Sequence, residues 1–226
     1  MHKQTIFFIS LMTLFVTTVN ANFYFGIGAG VTQGTVNTQF TYPTDQSAPT
    51  VANYTYALSA FTPSVALGYQ RPFNKRWGID VLVSTEMNAG AAINKSNNWF
   101  PGVNSYTSIT LPWTYGMDVL ATYNMNAAVT AFIGPGVRVA QFKSTSDLTG
   151  GVIGISGSYT KNVVGGQLMA GVDLFLTSTC KLRLSDQYTL YPAISTTWIE
   201  PISEQPFAGR YTLSTNTVMA SVLFDF

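Results

Sequence analysis

The chain is built from segments in which apolar and polar residues alternate, separated by short turns and by longer polar stretches. Alternation with a period of two residues is typical of β-strands whose two faces meet different surroundings. Past residue 21, no apolar run approaches the roughly 20 residues that a membrane-spanning helix needs. The pattern predicts eight strands, at residues 22–31, 56–70, 76–87, 110–123, 127–142, 159–176, 180–191 and 209–226.

Short and long connections alternate between these predicted strands. Short turns are predicted at 71–75, 124–126 and 177–179, and the polar stretches 32–54, 88–109, 143–158 and 192–207 are predicted as four long loops. An even number of strands joined in this way predicts an all-β fold, an antiparallel up-and-down barrel. In a membrane barrel of this kind the short turns and both termini lie on the periplasmic side.

The charged residues inside the strands give a sharper test of which face is which. Eight of them occupy the alternate positions that form the polar face of their strand, a placement called here the polar parity. They are Asp80, Glu86, Asp118, Arg138, Asp173, Lys181, Arg183 and Asp225. An eight-stranded barrel is only wide enough for side chains to fill, so we expect these charges to pair inside it as a network that closes the lumen. Asp186 instead shares the parity of Leu182 and Leu184, which predicts either a bulge or an outward position near a rim.

Composition limits the choice of environment. Charged residues make up 9% of the chain and hydrophobic residues 46%, with 11 Lys and Arg against 10 Asp and Glu. This balance excludes a disordered chain, and it lacks the basic excess of a nucleic-acid-binding protein. A soluble barrel would bury its apolar face and expose its charged one. Low charge and aromatic residues near the strand ends favour the membrane alternative.

The N-terminus has the pattern of a secretory signal peptide. Lys3 precedes an apolar stretch at 5–19, and a small-residue site ends at Ala21, after which we expect cleavage. Residues 1–21 are then the signal peptide and 22–226 the barrel domain. The single histidine, His2, leaves with the signal peptide, and the single cysteine, Cys180, cannot form an intrachain disulfide. We therefore expect no catalytic residue, cofactor or metal site.

Four short motifs carry a family resemblance. They are Leu67-Gly68-Tyr69-Gln70, Trp77-Gly78-Ile79-Asp80, the segment 166–173 (GQLMAGVD), and the C-terminal 222–226 (VLFDF). With the strand pattern, they make the chain resemble the small eight-stranded outer-membrane barrels of Gram-negative bacteria, the OmpA transmembrane-domain and opacity-protein group. The resemblance implies that Val222, Phe224 and Phe226 form the signal recognised by the outer-membrane assembly machinery.

These observations predict a non-enzymatic outer-membrane barrel with a structural or surface-interaction role. Its partners would be the lipid bilayer, the assembly machinery, and an extracellular molecule bound at four long loops, which carry Trp99, Phe100 and Trp198. Two other functions stay open on the sequence alone. One is a narrow channel for ions or small solutes, and the other is a soluble secreted barrel that binds an apolar ligand.

Overall fold

The computed structural model describes residues 22–42, 50–88, 93–100, 103–150, 153–199 and 206–226; the predicted signal peptide with Ala21 lies outside these residues. No helix in these ranges is long and apolar enough to cross a membrane. The strands are β1 (Asn22–Tyr42), β2 (Thr50–Pro72), β3 (Trp77–Met87), β4 (Ile93–Phe100), β5 (Val103–Thr110), β6 (Trp113–Asn124), β7 (Val129–Gly150), β8 (Ile153–Phe175), β9 (Cys180–Ile199) and β10 (Pro206–Asp225).

Eight strands close into an antiparallel ring, which confirms the predicted fold class. The order is β1-β2-β3-β6-β7-β8-β9-β10, and β10 pairs with β1 to complete the circle. The remaining two, β4 and β5, form a hairpin that prolongs β3 and β6, and β5 pairs with β7. The short turns lie at the end of the barrel that holds Asn22 and Phe226, named here the proximal end. The longer hairpins form the distal end.

Most of the ring strands are longer than the sequence pattern predicts, and the prediction of four long loops is wrong. β1 has 21 residues and β8 has 23, where about 9–11 cross a bilayer. In β1 and β2 the added residues are rich in Thr, with Val and Tyr among them, and such β-branched and aromatic side chains suit extended backbone even in a polar stretch. Trp99 and Phe100 accordingly lie on β4, and Trp198 lies on β9.

The two faces of the barrel exchange their polarity along its length. In the proximal half the outer face carries large apolar side chains, such as Leu67 at 59% and Val137 at 52% exposure. The inner face holds the buried charges together with a small apolar cluster of Tyr24, Leu82, Leu120, Phe132, Met169 and Leu223. In the distal half, Thr35 and Asn37 of β1 point outward, whereas Val36 is fully buried inside. The proximal half therefore suits lipid outside, and the distal half suits water.

Distal to the apolar band, the ring divides into two four-stranded sheets. One contains the distal parts of β9, β10, β1 and β2, and the other contains β4, β5 and the distal parts of β7 and β8. The β2–β3 ladder begins at Ser64, directly after Pro63. The β8–β9 ladder ends at Leu190, two residues before Pro192. Proline has no N–H to donate to a ladder, so these prolines mark the points where pairing stops.

An apolar core fills the space between the two distal sheets. Phe142 of β7 is fully buried and packs against Tyr211 of β10, with 5.2 Å between the ring centroids. Other buried residues of this distal core are Val36, Tyr56, Leu58, Ala60, Ile109, Leu111, Ala140, Val163, Tyr191, Ile194 and Leu213. Both sheets contribute, so burial of this core holds the distal half together where the ladders do not.

Candidate functional site

The first group of buried charges, the proximal cluster, is centred on Arg183 of β9. Its guanidinium donates to Asp173 through Nε (2.7 Å to Oδ1) and Nη2 (2.8 Å to Oδ2), and Nη2 also reaches Asp80 Oδ2 at 2.6 Å. Tyr24 accepts a hydrogen bond from Arg183 Nη1 at 3.1 Å and donates to Asp80 at 2.9 Å. The guanidinium carbon also lies 4.5 Å from the ring centroid of Phe132. One cation on β9 therefore joins two carboxylates and two rings that lie on four other strands.

Lys181 extends the proximal cluster toward the proximal opening. Its Nζ forms an ion pair with Asp225 Oδ1 at 2.8 Å and donates to Gln70 Oε1 at 2.7 Å. The amide nitrogen of Gln70 donates in turn to Asp80 Oδ2 at 3.2 Å. Gln70 thus connects the ammonium group to a carboxylate of the Arg183 group, and the proximal cluster is one continuous network.

The second group, the distal cluster, is centred on Arg138 of β7, which is 1% exposed. Its Nη2 lies 3.3 Å from Asp118 Oδ2 and 3.3 Å from Glu86 Oε1, the latter contact being an ion pair without hydrogen-bond geometry. Nη1 donates to Ser84 Oγ. Asp173 of the proximal cluster faces Thr130 on β7. Thr130 lies eight residues before Arg138 on the same strand, toward the proximal end, so the two clusters occupy successive levels of the lumen.

Two glutamines complete the distal cluster. Gln167 accepts from Arg138 Nε and donates to Asp118 Oδ1 at 3.0 Å. Gln187 accepts from Arg138 Nη2 at 2.9 Å. The guanidinium therefore has partners for all three of its nitrogens, although only two carboxylates are near it.

The clusters contain more acids than bases. The proximal cluster has two cations (Lys181, Arg183) and three carboxylates (Asp80, Asp173, Asp225), and the distal cluster has one cation and two carboxylates. Neutral groups bind the carboxylates that outnumber the cations. Tyr24, Gln70 and Gln167 all donate hydrogen bonds to carboxylate oxygens. Hydroxyl and amide groups are thus as much a part of the site as the charges.

Glycine makes room for two large side chains of the network, Arg138 and Tyr24. A Cβ atom placed on Gly116 would lie 1.9 Å from Arg138 Nη1, and one on Gly68 would lie 2.0 Å from the Tyr24 ring. Neither distance is possible for a real side chain. The barrel can therefore hold a full guanidinium and a full phenol in its narrow interior only because these facing positions carry no side chain.

Replacing Gly116 by alanine is expected to lower the free energy of unfolding by about 1–3 kcal/mol, because Arg138 would have to leave its partners. Gly166→Ala is the matched control, since a Cβ there meets no atom within 4 Å. Urea unfolding of both refolded variants in detergent micelles measures the difference. Equal stability of the two variants would show that the distal cluster can shift without loss.

The remaining predicted residues lie on the surface. Asp186 points outward between Ala170 and Val218, and no bulge lies at this position, so a bulge does not explain its parity. Phe224 and Phe226 are exposed near the proximal end, and the Phe226 N–H donates to Phe23 O at 2.9 Å. Cys180 is half-buried at the start of β9. Within the described ranges, no group of His, Cys, Asp or Glu side chains could hold a metal ion.

The interior is closed at successive levels. Between the distal cluster and the distal core lies a cavity of about 10 Å³, bordered by Glu86, Asn88 and Tyr191. That volume holds a single water at most. A wider depression of about 400 Å³ lies at the proximal mouth, beside Arg76, Asn124 and the other residues of the turns.

An apolar outer band around a closed interior that holds paired charges is the arrangement of an outer-membrane β-barrel. No protein-family model and no curated protein sequence matches the chain. The fold is similar to that of a major outer membrane protein from Thermus thermophilus, with a TM-score of 0.56, 11% identity, and coverage of 92% of this chain and 100% of that one.

Two further solved structures match at lower TM-scores. The outer membrane protein OprG from Pseudomonas aeruginosa has a TM-score of 0.49 and 12% identity, covering 90% of this chain and 95% of that one. Neisserial surface protein A has a TM-score of 0.44 and 13% identity, covering 92% and 100%. At these identities the likeness concerns the fold alone.

Proposed function

We propose that the chain is a non-enzymatic integral protein of the outer membrane, exported by a signal peptide cleaved after Ala21, with both termini in the periplasm. Its apolar band supports a position in the bilayer. Soluble monomers rarely expose so many large apolar side chains side by side. The exposed aromatic residues Phe224 and Phe226, with Val222 before them, support recognition by the assembly machinery.

The closed interior carries the proposal about what the protein does. Arg138, Lys181 and Arg183 hold the carboxylates of the lumen in ion pairs, and the distal core fills the space beyond them. A barrel filled in this way offers no path for solutes, and its paired acids are not free for acid–base chemistry. We therefore propose a surface-interaction role for the distal hairpins, which extend the barrel into the aqueous phase.

Conductance in planar lipid bilayers tests the closed lumen. Refolded protein is expected to give no steady open-channel current, because two charged levels and an apolar level must all open together. A variant in which a short Gly-Ser linker replaces residues 93–110 keeps Arg138 and Arg183, and we expect it to stay closed as well. Steady currents from the unaltered protein would refute the proposal and support the narrow channel for ions or small solutes.

Cell fractionation tests the location independently. The protein should be recovered in the outer membrane and should migrate faster on gels when it is loaded in unheated detergent. Recovery in the soluble periplasm or medium would refute the membrane assignment. That result would support the soluble barrel with an apolar ligand instead.

A further inference from the structure

Four strand edges in the distal half have no ladder on one side. They belong to the two seams between the distal sheets: β2 faces β4 at one seam, and β8 faces β9 at the other. At each seam, no hydrogen-bonded pairing joins the two strands among the residues that the structure describes. Unpaired strand edges present rows of free N–H and C=O groups, and proteins normally protect such rows from other chains.

Three of the four edges carry the usual protective features. β4 contains Lys95, and its pairing with β5 is irregular between Asn98 and Phe100. β9 has Pro192, and its register with β10 shifts between Tyr211 and Leu213. β8 carries Lys161, which is exposed. Lysine, proline and bulges are the devices that stop a foreign strand from pairing with an edge.

The distal edge of β2 has none of these features. Residues 50–62 contain no charge and no proline. Their register with β1 continues without a shift from Thr50 to Gln70. The edge is thus long, regular and uncharged, on the half of the barrel that meets water. Its side chains alternate, with Leu58 and Ala60 buried inward and Thr55 and Ser59 exposed.

We propose that this edge binds an extended polypeptide segment of another protein, which adds to β2 as an antiparallel strand. A polypeptide backbone matches a row of alternating N–H and C=O groups along its whole length, and the absence of charge gives an anionic lipid nothing to pair with. The segment would carry apolar residues at alternate positions, facing the distal core beside Leu58. The inference rests on the proposed surface role and names the chemistry of its partner.

A second copy of the chain does not fit this edge in the same membrane. All copies share one orientation, so two β2 edges would meet as parallel strands. The β4 strand of a neighbour runs in the opposite direction, but Lys95 and the irregularity near Phe100 protect it. A partner protein with an exposed extended segment therefore suits the edge best.

The test uses the refolded chain in lipid nanodiscs and a synthetic peptide of residues 34–42 (GTVNTQFTY), the segment that pairs with β2 on its other side. Amide hydrogen exchange is followed by NMR with this peptide and with a scrambled peptide of the same composition. In the free protein, alternate amides of residues 50–62 should exchange rapidly, because they face the seam. The native peptide should slow those amides at least tenfold, and the scrambled peptide should leave them unchanged.

Two lysine variants at facing positions make the test specific. Ala57→Lys adds a protective charge to the edge, and Thr35→Lys places the same charge on its register partner in the central strand β1. We expect Ala57→Lys to weaken peptide binding at least tenfold and Thr35→Lys to change it less than twofold.

Three results would overturn the proposal: uniform protection of residues 50–62 in the free chain, no response to the peptide, or equal effects of the two lysines. A fourth result, a dimer of the free chain that the peptide dissociates, would assign the edge to a second copy and would also overturn the proposal. Conductance measured on the same preparation reports separately on the closed lumen, so failure of one proposal does not resemble failure of the other.

Discussion

Replacing Arg138 by methionine is expected to lower the free energy of unfolding by about 3–5 kcal/mol. Arg138 is the sole cation of the distal cluster, and its loss leaves Asp118 and Glu86 buried without an ion-pair partner there. Asp118 is 0% exposed, so bulk water does not solvate its carboxylate in place of the guanidinium. Urea unfolding of the refolded protein in detergent micelles, followed by tryptophan fluorescence, measures the loss.

Two further variants separate the loss of the ion pair from the loss of the side chain. Lys143→Met removes an exposed cation from the same strand and should change stability by less than about 0.5 kcal/mol. Adding Glu86→Gln and Asp118→Asn to Arg138→Met removes the orphaned charges and should restore most of the stability. If the triple variant is as unstable as Arg138→Met, the cost comes from packing of the arginine and not from unpaired carboxylates.

The fold could be predicted in its proximal half and not in its distal half. Period-two alternation located all eight ring strands because apolar residues there face outward, as at Leu67 and Val137. Beyond Gln33 the alternation persists but its phase reverses, with Val36 inside and Thr35 outside. A rule that equates polar stretches with loops misses such strands, although the reversed phase is itself a readable signal.

The sequence predicted which charged residues form the site, but not how they divide into two clusters. Parity alone identifies the inward charges, because each strand alternates strictly between its two faces. Pairing depends on register between strands, so nothing local shows that Arg183 joins Asp80 and Asp173 while Arg138 joins Asp118. The neutral members were missed because polar residues at inward positions, such as Gln167, are not conspicuous among charges.

Replacing Phe142 by alanine is expected to cost about 3–5 kcal/mol, through a different physical effect from Arg138→Met. Phe142 is fully buried in the distal core against Tyr211, and its removal leaves a cavity between two sheets that no ladder joins at the seams. Phe61→Ala is the matched control, because Phe61 is 57% exposed on the outer face. It should cost clearly less than half as much, measured by the same urea unfolding.

The double variant decides whether the distal cluster and the distal core act separately. Arg138 and Phe142 are four residues apart on β7, about 13 Å along the strand, with Ala140 of the distal core between them. Residues so separated usually have additive effects to within about 0.5 kcal/mol. Additive losses would mean that charged and apolar levels close the lumen independently, so damage to one level leaves the other intact. A coupling above about 1 kcal/mol would contradict this and show that the interior folds as a single unit.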